Sequence, residues 1–458
     1  MNFKFVLPLF VLTGLSASAF AVCPKPNSTM TVREGVRQGK KFCALKSTDA
    51  AKPAQILETT TFNSDTTYVL LSGMSVGDNA MRQNNENKIQ LNIEAGTEIV
   101  GQSAKAYLQI NRGAQIFARG TKEQPIVFTT LKKEKTRGSW GGLIINGSAP
   151  VNGCVDNVAA VCELRGEGLT TYKYGGANPK DNSGVLNYVV VEYAGFEITN
   201  ENELNGIAFQ GVGNGTLVDY IQVHMNSDDG VEFFGGTVDV KHVVLTGNRD
   251  DSLDWVHGWK GSAQFVIVEQ YSDAANNGIE ADNFSKKRDA SPRSAPVLAN
   301  FTLIGSDRAQ GAKGGSGLLL REGTGAHVLN SYVTGFSSSC LDIDNKETFR
   351  NAKEGSVENG NQKGIVLENV YFNCAKAFTP VEKLNKQKNE LEPWAIEGFV
   401  MAQKGNQVKD LGLNKYVPTA GLNQVEMTQF SDVVNTDYVG AVKDANDTWY
   451  ADWTNLKR

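Results

Sequence analysis

Two kinds of apolar pattern alternate along the chain. Long runs rich in Val, Ile, Tyr and Thr recur as "GVLNYVVVEYAG" (184–195), "GTLVDYIQVHM" (215–225), "TVDVKHVVLTG" (237–247), "SAQFVIVEQY" (262–271), "PVLANFTLIGS" (296–306), "AHVLNSYVTGF" (326–336) and "GIVLENVYFNC" (364–374). Each is bounded by Gly, Asn, Asp or Ser, which marks strands separated by turns. Between them sits a shorter phrase. Asp228-Asp229-Gly230-Val231-Glu232-Phe233 returns 22 residues later as Asp250-Asp251-Ser252-Leu253-Asp254-Trp255. Asn205-Gly206-Ile207-Ala208-Phe209 and Asn277-Gly278-Ile279-Glu280-Ala281 fit the same phrase, and Ser316-Gly317-Leu318-Leu319 and Ser339-Cys340-Leu341-Asp342 are looser copies.

No intervening segment shows a run of helical spacing, so strand–helix–strand units are disfavoured. Short strands repeated every coil without helices predict an all-β, right-handed, single-stranded parallel β-helix, a solenoid with loop inserts. "IQLNIEAGTEIVG" (89–101), "AYLQINRGAQIFARG" (106–120) and "QPIVFTTL" (124–131) read as earlier coils. The expected layout is a signal peptide over 1–21, a lead-in over 22–84, the β-helix over 85–374 and a C-terminal cap region over 375–458. Inserts at 146–183, 282–295 and 345–363 become loops. "VEKLNKQKNELEPW" (381–394) reads as partly helical, and the aromatics of 436–454 as cover for the open end.

Strand alternation assigns the repeated phrase its faces. Val231, Phe233, Leu253, Trp255 and Ile279 point inward. Glu232, Asp254 and Glu280 then point outward as a ladder of like charges, which is destabilising between neighbouring strands. Asp228 and Asp250 adjoin it at a corner that also faces out. Several carboxylates presenting only oxygens suit Ca²⁺. The expected metal residues are therefore Asp228, Glu232, Asp250, Asp254, Glu280 and Asp282. Asn205, Asp229, Asp251 and Asn277 have inward parity and are expected to bond corner backbone instead. The competing reading of the ladder is a solvated acidic face paired with Lys241, Lys260, Lys286, Lys287 or Arg288.

The beginning of the chain changes the compartment. "MNFKFVLPLFVLTGLSASAFAVC" has a Lys, a short apolar run and Ala19-Phe20-Ala21, the form of a secretory signal cut before Val22. Val22 stands where lipidation wants a small residue, so Cys23 is not read as a lipid anchor. The chain is expected to be exported and soluble, without a membrane span. An even set of cysteines in an exported chain suggests disulfides, most simply Cys23–Cys43, Cys154–Cys162 and Cys340–Cys374. The formal net charge of -5 argues against nucleic acid as a partner.

"GSWGGLIINGSAPVNGC" (138–154), "DNSGVLNYVVVEYAG" (181–195), "SDDGVEFFGGTVDVKHVV" (227–244), "DDSLDWVHGWKGSAQFVIVEQ" (250–270), "NNGIEADN" (276–283), "CLDIDN" (340–345) and "TDYVGAVKDANDTWYADWT" (436–454) resemble a family of exported Gram-negative bacterial proteins. Its members carry parallel β-helix repeats and are described mostly as hypothetical secreted proteins or lipoproteins. The resemblance implies the fold and export, and no catalytic residue.

Three functions remain open. A rigid acidic face with Trp259 and Trp140 near turns suits a surface or extracellular protein that binds glycan or an envelope partner, the two rings stacking on sugar. A polysaccharide lyase or glycoside hydrolase is the alternative, with Asp228, Asp250, Arg249 and Arg321 as candidate catalytic groups. Such a hydrolase needs two carboxylates at defined separation, and a lyase a base. The third is a structural surface or adhesion protein.

Overall fold

The structure is a computed structural model that describes residues 23–37, 39–80, 88–154, 161–166, 172–199, 202–306, 315–353, 356–358, 361–379, 395–420 and 425–457. The signal sequence and the stretch 381–394 read as partly helical lie outside the described residues.

The chain forms a parallel β-helix. One sheet of ten short strands stacks, in order, Ala54–Ile56, Met74–Val76, Leu108–Ile110, Leu143–Asn146, Ile207–Gln210, Val231–Phe234, Leu253–Val256, Ile279–Ala281, Leu318–Leu320 and Leu341–Ile343. Every neighbouring pair for which register is defined is parallel. The repeated phrase is this sheet: Val231 pairs Leu253, Leu253 pairs Ile279, and both looser copies continue the ladder through Leu318 and Leu341. An 18-stranded sheet holds the longer runs and wraps the rest of the core. Its coils begin at Lys40–Ser47, which pairs in parallel with Thr66–Leu70, so the stretch read as a lead-in already contains coils. Met30–Arg37 folds back antiparallel on Lys40–Ser47 and sets Met30 into the core at that end.

Inward parity holds throughout. Val231, Phe233, Leu253, Trp255 and Ile279 belong to one continuous apolar core that runs the length of the stack. Non-local parallel pairing alone supplies these contacts, since each coil buries its apolar side only against the coils before and after it.

The long runs of the large sheet bend at one position in each coil. Tyr188, Tyr220, His242, Phe265, Asn300, Asn330 and Asn369 each adopt a φ between 47° and 59°. Left-handed backbone is costly for residues with a Cβ, and stacking offsets that cost. Tyr188 lies 4.3 Å from Tyr220, Tyr220 4.3 Å from His242, and His242 4.9 Å from Phe265, all near-parallel. The row continues as amides, with Asn369 donating to Asn330 Oδ1 at 2.9 Å. His242 is thus one rung of an aromatic stack, in line with Tyr220 and Phe265.

The three disulfides are the sequential ones: Cys23–Cys43, Cys154–Cys162 and Cys340–Cys374. Residues 425–457 form a strap along the outer surface of the long sheet, from the coil of Glu368, whose carboxylate accepts from Thr428, back to Glu192, which accepts from Asn455. The aromatics offered as an end cover therefore lie along the flank: Tyr450 and Trp453 pack on Val190, Val244 and Ile267.

Candidate functional site

From Leu143–Asn146 onward, the outward column of the ten-stranded sheet reads Ile144, Ala208, Glu232, Asp254, Glu280, Leu319 and Asp342. The carboxylate ladder of the sequence reading therefore stands in register on three successive strands, bracketed by apolar residues. Asp228 and Asp250 stand beside it at the preceding corner. Three groups bring carboxylate oxygens within 4.8 Å of one another: Asp228, Asp229 and Asp250; Asp229, Glu232 and Asp254; and Asp251, Asp254 and Glu280. The groups share Asp229 and Asp254, so they interlock along the stack.

Asp229 and Asp251 were expected only at the corner, and they do both things. Asp229 Oδ1 accepts from the Asp251 amide at 3.0 Å, and Asp251 Oδ1 accepts from the Asn277 amide at 2.5 Å. Asn277 Oδ1 in turn accepts from the Ser316 amide at 2.9 Å. This chain of corner bonds is the Asx reading, fulfilled. Yet both aspartates also enter the carboxylate groups. The aspartates that replace asparagine at these two coils are the signal that was available.

Among the described residues, amides and an arginine meet these carboxylates. Asn205 donates to Glu232 at 2.5 Å, Asn276 to Asp250 at 2.8 Å, and Asn277 to Glu280 at 3.3 Å. Among the described residues, Arg321 is a cation that reaches the column: it bonds Glu280 and, through Nε at 2.8 Å, Asp282. Arg288, one of the expected partners, turns away to Glu322 and Glu347. Asp254 keeps a buried Oδ1 with no hydrogen-bond partner among the described residues.

Burial and crowding shape the protonation of the site. Desolvation, then the nearby charges of Glu203 and Asp250, push Asp228 up to about 8. Desolvation outweighs the help of Arg321 and pushes Glu280 up to about 7. Asp229, Asp251 and Asp254 are held well above the usual carboxylate range, again by desolvation first and by neighbouring carboxylates after it. Asp282 is raised for the same leading reason. Burial and mutual repulsion thus favour the protonated form of these acids, or a cation in place of the protons.

Other expected residues fall elsewhere. Trp259 and Trp140 are both 0% exposed. Trp259 stacks on Phe233 at 3.8 Å inside the solenoid, and Trp140 lies parallel to Phe128 with its indole donating to the Glu192 carbonyl. Neither ring can reach a sugar. Glycines packed against the rings leave room for them: a Cβ on Gly101 would stand 2.4 Å from that of Trp140, and one on Gly261 would stand 1.9 Å from the Val238 carbonyl oxygen and 2.6 Å from the Trp259 indole nitrogen. Arg249 is exposed, next in sequence to Asp250. Arg321 faces the acids, but two carboxylates hold its guanidinium firmly protonated, which is the wrong state for a base.

A family model described as "Pectate-lyase like beta helix domain" matches residues 54–455. The chain belongs to this family. The match starts after the first coil strand, Lys40–Ser47, and covers the later coils and nearly all of the strap. Among solved structures, the "periplasmic alginate epimerase AlgG" is similar over 83% of this chain and 96% of its own, at 9% sequence identity and a TM-score of 0.27. No curated protein matches the chain. Among the described residues, no helix is long and apolar enough to cross a membrane.

Proposed function

We propose that the carboxylate column binds Ca²⁺ and that the chain is an exported, calcium-dependent binding protein acting at the cell surface or outside the cell, its ligand a glycan or an envelope partner. The observation that carries this reading is the interlocked set of three carboxylate groups, with Arg321 bonded to Glu280 and Asp282 at one end. A ladder of like charges on a rigid sheet is destabilising unless protons or a cation neutralise it. Hard oxygen ligands at that density suit Ca²⁺, which takes about 6–8 of them. Membership of a pectate-lyase-like family supports glycan as the ligand class, by analogy of fold.

The catalytic reading has less behind it. Oxygens within 4.8 Å of one another are closer than the roughly 6.5–9.5 Å an inverting hydrolase needs for its water and nearer the roughly 5–5.5 Å of a retaining one. A lyase base is not supplied by Arg321, pinned as it is between Glu280 and Asp282.

Retention of the mature chain on a panel of immobilised acidic and neutral polysaccharides, with Ca²⁺ and with chelator, tests the proposal. Calcium-dependent retention without change in the polymer supports it. Appearance of unsaturated or reducing ends shows an enzyme and overturns the binding reading.

A further inference from the structure

The outer surface of the long sheet carries one register column from end to end. It runs Phe42, Thr67, Glu98, Val127, Val190, Gln222, Val244, Ile267, Thr302, Tyr332 and Tyr371. From Val127 onward the C-terminal segments cover it. Ala441, Val442, Tyr450 and Trp453 pack on Val190, Val244 and Ile267, and Leu411 and Val439 on Tyr332 and Tyr371. Asn455 closes the covered stretch by bonding Gln222 and Glu192.

The first positions of the same column are bare of that cover. There, a groove of about 530 Å³ is lined by Arg37, Lys40, Lys41, Phe42, Ala44, Thr67, Val69, Glu98 and Leu131. Its floor is apolar: Ala44, Val69 and Val100 form a small cluster with Phe42 and Leu71 packed against it. Leu131 is 40% exposed. Phe42 is held in place as a wall, because it lies over Gly35 of the facing strand, where a Cβ would stand 2.8 Å from the ring.

The strap shows what chemistry this column accepts. Its residues 436–455 carry Asp437, Asp444, Asp447 and Asp452 against the single Lys443, together with two Trp and two Tyr. The aromatics Tyr450 and Trp453 seat on the sheet, and Asp452 pairs with Lys122 at 3.2 Å. The bare end repeats that arrangement, an apolar floor with cations on the rim. Lys40 and Lys41 make part-exposed pairs, with Glu98 at 3.6 Å and Asp65 at 3.0 Å. Such pairs contribute little and exchange readily. We propose that the groove over Phe42, Ala44, Val69 and Leu131 docks an extended, acidic, aromatic-bearing peptide segment of a partner protein, laid along the solenoid in continuation of the strap. Its aromatic side chain sits on the apolar floor and its carboxylates meet Arg37, Lys40 and Lys41.

A labelled synthetic peptide with the sequence of residues 436–455 serves as the acidic, aromatic probe, and fluorescence anisotropy against the mature full chain reads its binding. The expected result is saturable binding, weakened at least tenfold by Leu131→Asp and by Lys40→Glu/Lys41→Glu, and weakened as salt rises. Leu131 is half-open to solvent, so its variant is expected to fold; a thermal melt confirms it. Trp453→Ala separates the groove from the resident strap. If that variant gains peptide while Leu131→Asp binds as the wild type does, the probe is replacing the strap and the proposal fails. Absence of saturable binding up to millimolar peptide also overturns it. So does a dimer of the wild type that Leu131→Asp dissolves, because the occupant is then a second copy of the chain.

Discussion

The two sheets of this solenoid have the same inside and opposite outsides. Inward, both present stacked aliphatic and aromatic residues to one core. Outward, the ten-stranded sheet shows Glu232, Asp254 and Glu280 on successive coils, and the long sheet shows Val190, Val244 and Ile267 under a strap. One outer column is finished by the chain's own sequence; the other is left as a crowd of carboxylates with Arg321 at one end. In a solenoid the inward positions state the fold, and what covers or fails to cover the outward ones states the function.

The comparison can be attacked on each side. The largest effect belongs to the shared interior. Trp259→Ala removes a fully buried ring stacked on Phe233 and is expected to destabilise by about 3–5 kcal/mol, seen as a lowered unfolding midpoint in denaturant. A surface role for Trp259 would leave that midpoint almost unmoved. On the acidic face, Arg321→Met strips Glu280 and Asp282 of their cation. In chelator this costs on the order of 3 kcal/mol, and added Ca²⁺ recovers part of it. An equal loss with and without Ca²⁺ breaks the link between that arginine and a metal-bearing column.

A pH series sharpens the contrast further. Folded-state values of about 8 for Asp228 and about 7 for Glu280 lie above those of an unfolded chain, near 4. Between those limits the folded state holds more protons than the unfolded one, so stability falls as pH rises. In chelator the melting temperature is expected to drop from pH 5 to pH 8, and Ca²⁺ to flatten that slope. The smallest effect belongs to the covered face. Trp453→Ala loosens the strap at a cost of about 1.5–3 kcal/mol, read first as faster proteolysis within 425–457 while the coils stay intact.

The interior was legible because its period is enforced. Every coil must repeat an apolar residue at the same place, so Val231, Leu253 and Ile279 announce the stack, and parity then delivers Glu232, Asp254 and Glu280 to the outside. The disulfides followed from the nearest pairing of cysteines. Less was legible wherever one residue type serves two ends. A glycine between strands reads as a turn, yet Gly101, distant from Trp140 in sequence, leaves room for that ring, and Gly261 lets the Val238 carbonyl and the Trp259 indole approach its backbone. An aspartate at a corner reads as a turn residue, yet Asp229 and Asp251 use one carboxyl for the corner and for the cluster. The left-handed kinks at Tyr188, Tyr220, His242 and Phe265 carry no local signal, since their stabilisation comes from stacking on residues a full coil away.

The most direct test is a thermal melt of the mature chain with Ca²⁺ and with chelator, repeated on Glu232→Gln/Asp254→Asn. Ca²⁺ at 100 times its dissociation constant should add about 2.7 kcal/mol per site, a clear rise in the wild-type midpoint that the double variant no longer shows. A wild type indifferent to Ca²⁺, with a double variant as stable or more so, would contradict the account and leave the column a protonated acidic face.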